Sequence, residues 1–228
     1  RFIQPVQSSA GKQNRQRGFD SLHPCMDRLV SELIKTGYLK TPAVIDAFKK
    51  IDRKDFVPES LKDFAYVNRP LSIGEVQTIS QPLTVAFMLE LLELAPGGKV
   101  LDVGTGSGWQ AALIAEIIGP AGSVVSIERI KSLSDQAKIN LTRSDLVDLK
   151  LVVGDGSLGY PDEAPYDRIV AAASSHAIPQ AWKEQLKIGG IIVAPIEGSL
   201  VKIVKISDDK FETKEYPGFV FVPLVIGK

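Results

Sequence analysis

The chain holds one cysteine, Cys25, and two histidines, His23 and His176. A single cysteine excludes an internal disulfide and any Cys-based zinc site, and two histidines far apart give no metal constellation. An excess of one charge is also missing. Lys+Arg and Asp+Glu both number 27, so bulk attraction to nucleic acid or to an anionic membrane is not expected. No apolar run approaches the roughly 20 residues that span a bilayer, and the N-terminal stretch lacks a secretory h-region. These absences predict an intracellular, cytoplasmic chain without metal or membrane. Apolar residues, by contrast, are plentiful: 44% of the 228 residues are hydrophobic, enough for one large domain with a sizeable core.

Residues 1–18 carry Arg1, Lys12, Arg15 and Arg17 and no acid, and read as a loosely ordered basic arm. From Asp20, Leu22, Met26, Leu29, Val30, Leu33 and Ile34 fall at helical spacing, with Gly37 as the stop. Thr41-Pro42 opens a second helix, with Val44, Ala47, Phe48 and Ile51 as its buried stripe. Lys54 to Gly74 reads as irregular. Gln81-Pro82 opens a third helix, with Leu83, Phe87, Leu91 and Leu94 on one face and Pro96-Gly97-Gly98 as its end. Strands are predicted at 99–104, 123–128, 149–153, 167–172 and 190–195, with helices at 108–118, 131–143 and 179–187 between them. Segments 199–206 and 211–222 add an antiparallel edge. Short apolar strands alternating with helices predict an α/β fold with a doubly wound, mostly parallel sheet covered on both faces. The helical segment 19–98 is expected to form one compact domain with the core at 99–228.

Lys99 to Ala112 reads K-V-L-D-V-G-T-G-S-G-W-Q-A-A, a strand, a glycine-rich turn and a helix start. In such a sheet ligands sit beyond the carboxyl ends of the strands, and the first turn is the usual place. Gly104, Gly106 and Gly108 allow a tight turn and close approach of a ligand. A dinucleotide site counted from Gly104 requires its third glycine at position 109, where Trp109 stands. No Gly-Lys-Ser/Thr follows for a P-loop. The pattern is D-x-G-x-G-x-G, from Asp102 to Gly108. It resembles the motif of class I S-adenosylmethionine-dependent methyltransferases, which implies a Rossmann-like sheet. That cofactor has a cationic ammonium and sulfonium, which suit Asp102. Glu128 ends the second strand about 20 residues on, where a carboxylate accepts both hydroxyls of a ribose. Asp155, in V-V-G-D-G, ends the third strand, where it can accept from the adenine amino group. The plain alternatives are a helix cap, a solvated strand end and an ordinary turn.

A second signal is G-E-V-Q-T-I-S-Q-P at 74–82. With the glycine turn, S-I-E-R-I at 126–130, G-D-G-S-L-G-Y-P-D-E-A-P-Y-D-R-I at 154–169, I-P-Q-A-W-K-E-Q-L-K-I-G-G at 178–190 and F-V-P-L at 221–224, it resembles the protein-L-isoaspartate O-methyltransferase family over about residues 20–228. The resemblance implies methyl transfer from S-adenosylmethionine to the free α-carboxylate of an L-isoaspartyl residue in a damaged protein or peptide, by a monomer that engages neither nucleic acid nor membrane. It implies Ser80 as the active-site residue, with Thr78 beside it, both positioning the acceptor. The cofactor positions it implies are Ile79, Gln81 and Pro82, then Gly104, Thr105, Gly106 and Ser107, then Glu128, Arg129, Asp155 and Gly156. For Ser80 a simple N-cap of the helix at Pro82 is the other reading, and both can hold. An ionised acceptor needs no general base, so few histidines suffice.

Two positions depart from the family. Val76 stands where glycine is usual, and His176 where a proline is usual, in a loop expected near the acceptor site. These departures leave open a methyltransferase of the same fold with another acceptor. A non-catalytic relative is the other alternative, disfavoured by the intact motif residues. Cys25 is expected to be small and partly buried, and Trp182 to be core. Trp109 is expected beside the cofactor or in the core.

Overall fold

A computed structural model describes residues 24–142 and 149–227. The basic arm, Asp20, Leu22, His23 and the expected helix end at position 143 lie outside the described residues.

Among the described residues three α-helices precede the main sheet: α1 (Pro24–Lys35), α2 (Pro42–Lys50) and α3 (Pro82–Leu92). The apolar spacing of α1 buries Met26, Leu29, Val30 and Leu33, whereas Ile34 stays 42% exposed. Cys25, in the first turn of α1, is exposed and not partly buried as expected. Thr41 precedes α2 without capping it, because its hydroxyl donates to Glu90 instead. α3 is apolar around most of its circumference, so it is buried on nearly every side. The stripe read from the sequence, Leu83, Phe87, Leu91 and Leu94, is its half-buried side, and Val85, Met88, Leu89 and Leu92 form its core side.

Between α2 and α3 the chain is more ordered than expected. Two 3₁₀ turns, Arg53–Phe56 and Glu59–Phe64, lead into a hairpin of β1 (Leu71–Gly74) and β2 (Gln77–Ile79). Both turn residues, Glu75 and Val76, have positive φ, 51° and 57°. That geometry matches strand twist in a two-residue hairpin.

The main sheet contains β3 (Lys99–Val103), β4 (Ser123–Glu128), β5 (Leu149–Val153), β6 (Tyr166–Ala171), β7 (Leu186–Ile196), β8 (Ser199–Lys205) and β9 (Phe211–Pro217). Its order is β5-β4-β3-β6-β7-β8-β9. The first five pair in parallel, and β8 and β9 add the antiparallel edge. The crossover helices are α4 (Trp109–Ile118), α5 (Lys131–Leu141) and α6 (Gln180–Glu184). Strand alternation sends Val100, Val124 and Val170 into a cluster with α1–α4, and Leu101, Val125 and Ile169 into the opposite one with Trp182. The helix expected over 179–187 stops at Glu184, and β7 starts at Leu186, ahead of the expected 190, with a register shift in its pairing to β6.

β9 ends at Pro217, short of the expected 222. Gly218, at φ +95°, turns the chain away. The following segment crosses the carboxyl ends of the strands. Ser174 N–H donates to Val222 O at 2.8 Å, Leu224 N–H to Ser174 O at 2.6 Å, and Gly227 N–H to Asp155 Oδ2 at 2.7 Å.

Candidate functional site

The strand order reverses between β3 and β6, so the switch point lies beyond Val103 and Ala171. The glycine turn sits there. Gly104, Gly106 and Gly108 have φ of 95°, 54° and 91°, values that side-chain-bearing residues rarely adopt. The turn is pinned from below by Ile127, whose carbonyl accepts the N–H groups of Gly104 and Thr105 at 2.8 and 3.1 Å.

Three hollows meet at Thr78 and Ala172, beside this turn. The first is a crevice lined by Thr78, Gly104, Gly106, Glu128, Arg129 and Gly156. It is closed on one side by Val222–Val225 of the returning C-terminal segment. The second is a small hollow between Ile79, Ser80, Thr105, Ser107 and Trp109. The third is a groove between Ser80, Gln81, Tyr38 and the 217–222 segment. Thr78 and Ala172 line all three. Side-chain alternation along β2 explains the pairing of Thr78 with Ser80: Ile79 between them is buried at 4% exposure, pointing the other way.

Glu128 sits at the end of β4, 7% exposed. Its Oε2 accepts from Gly106 N–H at 2.9 Å and its Oε1 from Ile130 N–H at 3.0 Å. Each oxygen keeps a lone pair, so the carboxylate is oriented and can still accept two ligand hydroxyls. Gly156 lies against β3, where a Cβ would come within 2.4 Å of Val103 Cγ1. Trp182 donates its indole N–H to the Gly156 carbonyl at 2.9 Å, which fixes this wall from the core side.

Asp102 takes a different place from the expected one. It is fully buried and lines none of the three hollows. It stands one residue before the strand end, so its side chain faces α4. Gln110 Nε2 donates to Oδ1 at 2.8 Å and the Ser126 hydroxyl to Oδ2 at 2.7 Å. Ser126 has thereby used its proton, so Thr105, 2.6 Å away, donates to Ser126. Burial is the largest influence on Asp102 and pushes its carboxyl up to about 6; Glu128 adds to the rise, and the two hydrogen bonds oppose it. Asp102 is therefore a buried carboxyl beneath the turn that makes no contact with the crevice.

Asp155 uses three acceptor positions within the protein, for Ser157 N–H, Ser157 Oγ–H and Gly227 N–H. Burial raises its pKa, but these hydrogen bonds outweigh that and hold it below the usual range. It thus caps a 3₁₀ turn, the ordinary-turn reading, and anchors the C-terminal segment. Pro82 is buried in the first turn of α3 and lines none of the three hollows, although Gln81 and Leu83 on either side of it line the Ser80 groove. Ser80 is not the N-cap. Gln81 holds that position, and Leu83 N–H is satisfied from afar by Asn68 Oδ1 at 3.0 Å.

The departures at Val76 and His176 fall outside the hollows. Val76 is 96% exposed at the hairpin tip. The side chain of His176 is 99% exposed and lies 3.3 Å from Glu197. Sequence reasoning missed Arg53, a fully buried guanidinium beneath Ser80. It donates to the carbonyls of Ala65, Arg69 and Ser80 at 2.6, 3.2 and 3.1 Å and stacks 5.2 Å from the Trp109 ring centre. In K-K-I-D-R-K-D it looks like part of a solvated charge run.

Comparison with known proteins shows the family. Residues 25–228 match the family model described as protein-L-isoaspartate(D-aspartate) O-methyltransferase. A protein-L-isoaspartate O-methyltransferase of Methanopyrus kandleri is 45% identical over 204 residues, covering 87% of this chain and 90% of its own. One from Pyrococcus horikoshii is 44% identical, covering 87% and 91%. Among solved structures, a Plasmodium falciparum chain in complex with S-adenosyl-L-homocysteine superposes with a TM-score of 0.79 at 23% identity, covering 88% and 98%, a likeness of fold. The D-x-G-x-G-x-G turn, the Q-T-I-S-Q-P segment beside it and these matches place the chain in the protein-L-isoaspartate O-methyltransferase family.

Proposed function

We propose that Thr78 and Ser80 hold the free α-carboxylate of an L-isoaspartyl residue while the glycine turn and Glu128 hold S-adenosylmethionine, so that a methyl ester forms at the damaged site. One observation carries this division: Thr78 and Ala172 line both the Glu128 crevice and the Ser80 groove, so donor and acceptor would meet there.

The crevice suits the donor. Glu128 retains lone pairs for a ribose diol, and the buried Asp102 provides negative potential beneath a turn that approaches a cationic ligand closely. When bound, S-adenosylmethionine supplies a methyl already activated by its sulfonium. An α-carboxylate, with a pKa of about 3.5, is ionised at pH 7 and brings its own electron pair. The protein then has to align the two reactants and exclude water. Thr78 and Ser80 can donate hydroxyl hydrogen bonds to the carboxylate, and neither has to act as a nucleophile or a base. The same reading takes 19–98 and 99–228 as one domain, since the apolar core draws on both. It takes the protein as a cytoplasmic monomer acting on damaged proteins. No helix among the described residues is long and apolar enough to cross a membrane.

The test is methyl transfer from labelled S-adenosylmethionine to paired peptides, one isoaspartyl and one aspartyl. Labelling of the isoaspartyl peptide alone is expected. Equal labelling, or none with cofactor binding intact, would point instead to another acceptor.

A further inference from the structure

We infer that Arg53 is a positioning residue whose buried charge selects an anionic acceptor at Ser80; this rests on the function proposed above. Arg53 is 0% exposed, and its partners are the backbone carbonyls of Ala65 and Arg69, in the loop ahead of β1, and of Ser80. Its Nε has no partner among the described residues. Carbonyl dipoles solvate a cation but do not neutralise it. Buried charges are normally paired with an opposite charge, and among the described residues no carboxylate forms an ion pair with this one. Burial lowers its pKa to about 10, so it remains charged at pH 7.

The position of this charge matters. The guanidinium grips the Ser80 carbonyl and stacks on Trp109, and both residues line the same small hollow. The Ser80 backbone therefore separates an unneutralised cation from the acceptor groove, and the Trp109 ring separates it from the small hollow beside that groove. In that interior, counterions screen little. An acceptor carboxylate at Ser80 is the missing counter-charge.

An indirect placement also fits the chemistry. Methyl transfer removes the acceptor's negative charge. A guanidinium in direct contact would hold the reactant carboxylate more tightly than the transition state and slow the step. Behind Ser80, it attracts and orients the anion with less of that penalty. The ester product is neutral, so the attraction ends when the reaction does. The effect is then expected mainly in KM.

The experiment uses two peptides of one sequence, with the isoaspartyl α-carboxyl as free acid or as carboxamide, and measures their affinities in the presence of S-adenosylhomocysteine. The full chain is expected to bind the acid at least tenfold more tightly than the amide. In Arg53→Met that ratio should fall toward one. KM for the acid should rise about tenfold, with kcat within about threefold and S-adenosylhomocysteine affinity unchanged. Equal loss of affinity for both peptides, or an unchanged ratio, would overturn the inference in favour of a purely structural residue. If Arg53→Met does not fold, Arg53→Lys replaces it. A buried lysine loses its charge at a lower pH, so KM for the acid should rise between pH 7 and 8.5 while the unmodified protein's stays level. A level KM in that variant would also overturn it. Methylation of the isoaspartyl peptide by the unmodified protein is the control: its failure removes the proposed function, whereas an unmoved ratio removes only the role of Arg53.

Discussion

Asp102→Asn exchanges the buried carboxylate beneath the glycine turn for a neutral group of the same shape. The folded-state carboxyl has a pKa of about 6 against an ordinary 3.8, with burial as the main cause. A gap of about 2 units corresponds to ~3 kcal/mol at about 1.4 kcal/mol per unit. The sign follows from proton counts. Between about pH 4 and pH 6 the folded protein keeps a proton that the unfolded chain has released. Stability therefore falls as pH rises through that window and stays lower above it. The amide has no such proton, so the variant lacks this slope. Its oxygen can still accept from Gln110, and its amino group can donate to Ser126, whose hydroxyl then turns to Thr105. Allowing for imperfect hydrogen bonds, the net gain at pH 7.5 is about 1–2 kcal/mol, or roughly 2–8 °C in Tm for a chain of this size. Calorimetric scans of both proteins without cofactor, at pH 7.5 and pH 4, read the difference directly. A higher Tm for the variant at pH 7.5, shrinking at pH 4, is expected. A lower Tm at pH 7.5 that recovers at pH 4 would refute the reasoning, since it would make the ionised carboxylate stabilising. Titration with S-adenosylmethionine should meanwhile show affinity reduced about tenfold, because the negative potential under the turn is gone. Such opposed effects are common where a site holds a charge that the fold alone does not favour.

Three further outcomes are expected. Ser80→Ala should lower kcat/KM about 10- to 100-fold through a lost hydrogen bond to the acceptor, with S-adenosylhomocysteine affinity within twofold; the opposite pattern in calorimetry would place Ser80 in the donor crevice alone. Glu128→Gln should weaken cofactor binding about tenfold or more, because an amide group must face the N–H of Gly106 or Ile130 and one acceptor is lost; unchanged affinity would remove Glu128 from the ribose role. Val76→Gly should raise stability by roughly 0.5–1 kcal/mol in urea titration. Relief of a β-branched residue at φ +57° outweighs the extra freedom glycine gives the unfolded chain. Methyl transfer should be unchanged, since that side chain points to solvent.

The parts of the fold legible in the sequence were those governed by local pattern. β4 and β5 fall where 123–128 and 149–153 were read, because short apolar runs between helices have few other solutions. The hairpin at 71–79 was missed because its strands are only 4 and 3 residues long and its turn is Glu-Val in place of the glycine-rich pair that normally marks such turns. α3 shows the limit of periodicity: where a helix is apolar on all sides, no stripe identifies the deeper face, and the sequence reading picked the shallower one.

For the site, the sequence determined which residue types the turn region offers. Three glycines reach positive φ because only they do so without strain, and a carboxylate ends the next strand because its position there is set by strand length. The direction of each group, and its partners, depend on contacts between segments distant in the chain. Asp102 faces α4 and Glu128 faces the crevice because the one lies a residue before its strand's end and the other at the very end, with Gln110 and Gly106 supplied by the packed helix and turn. Asp155 is held by Gly227, 72 residues away. Arg53 lies beneath Ser80 only because the loop folds around it, 27 residues from the group it holds. Local spacing fixes the chemistry available; burial and long-range hydrogen bonding decide which of it faces a ligand.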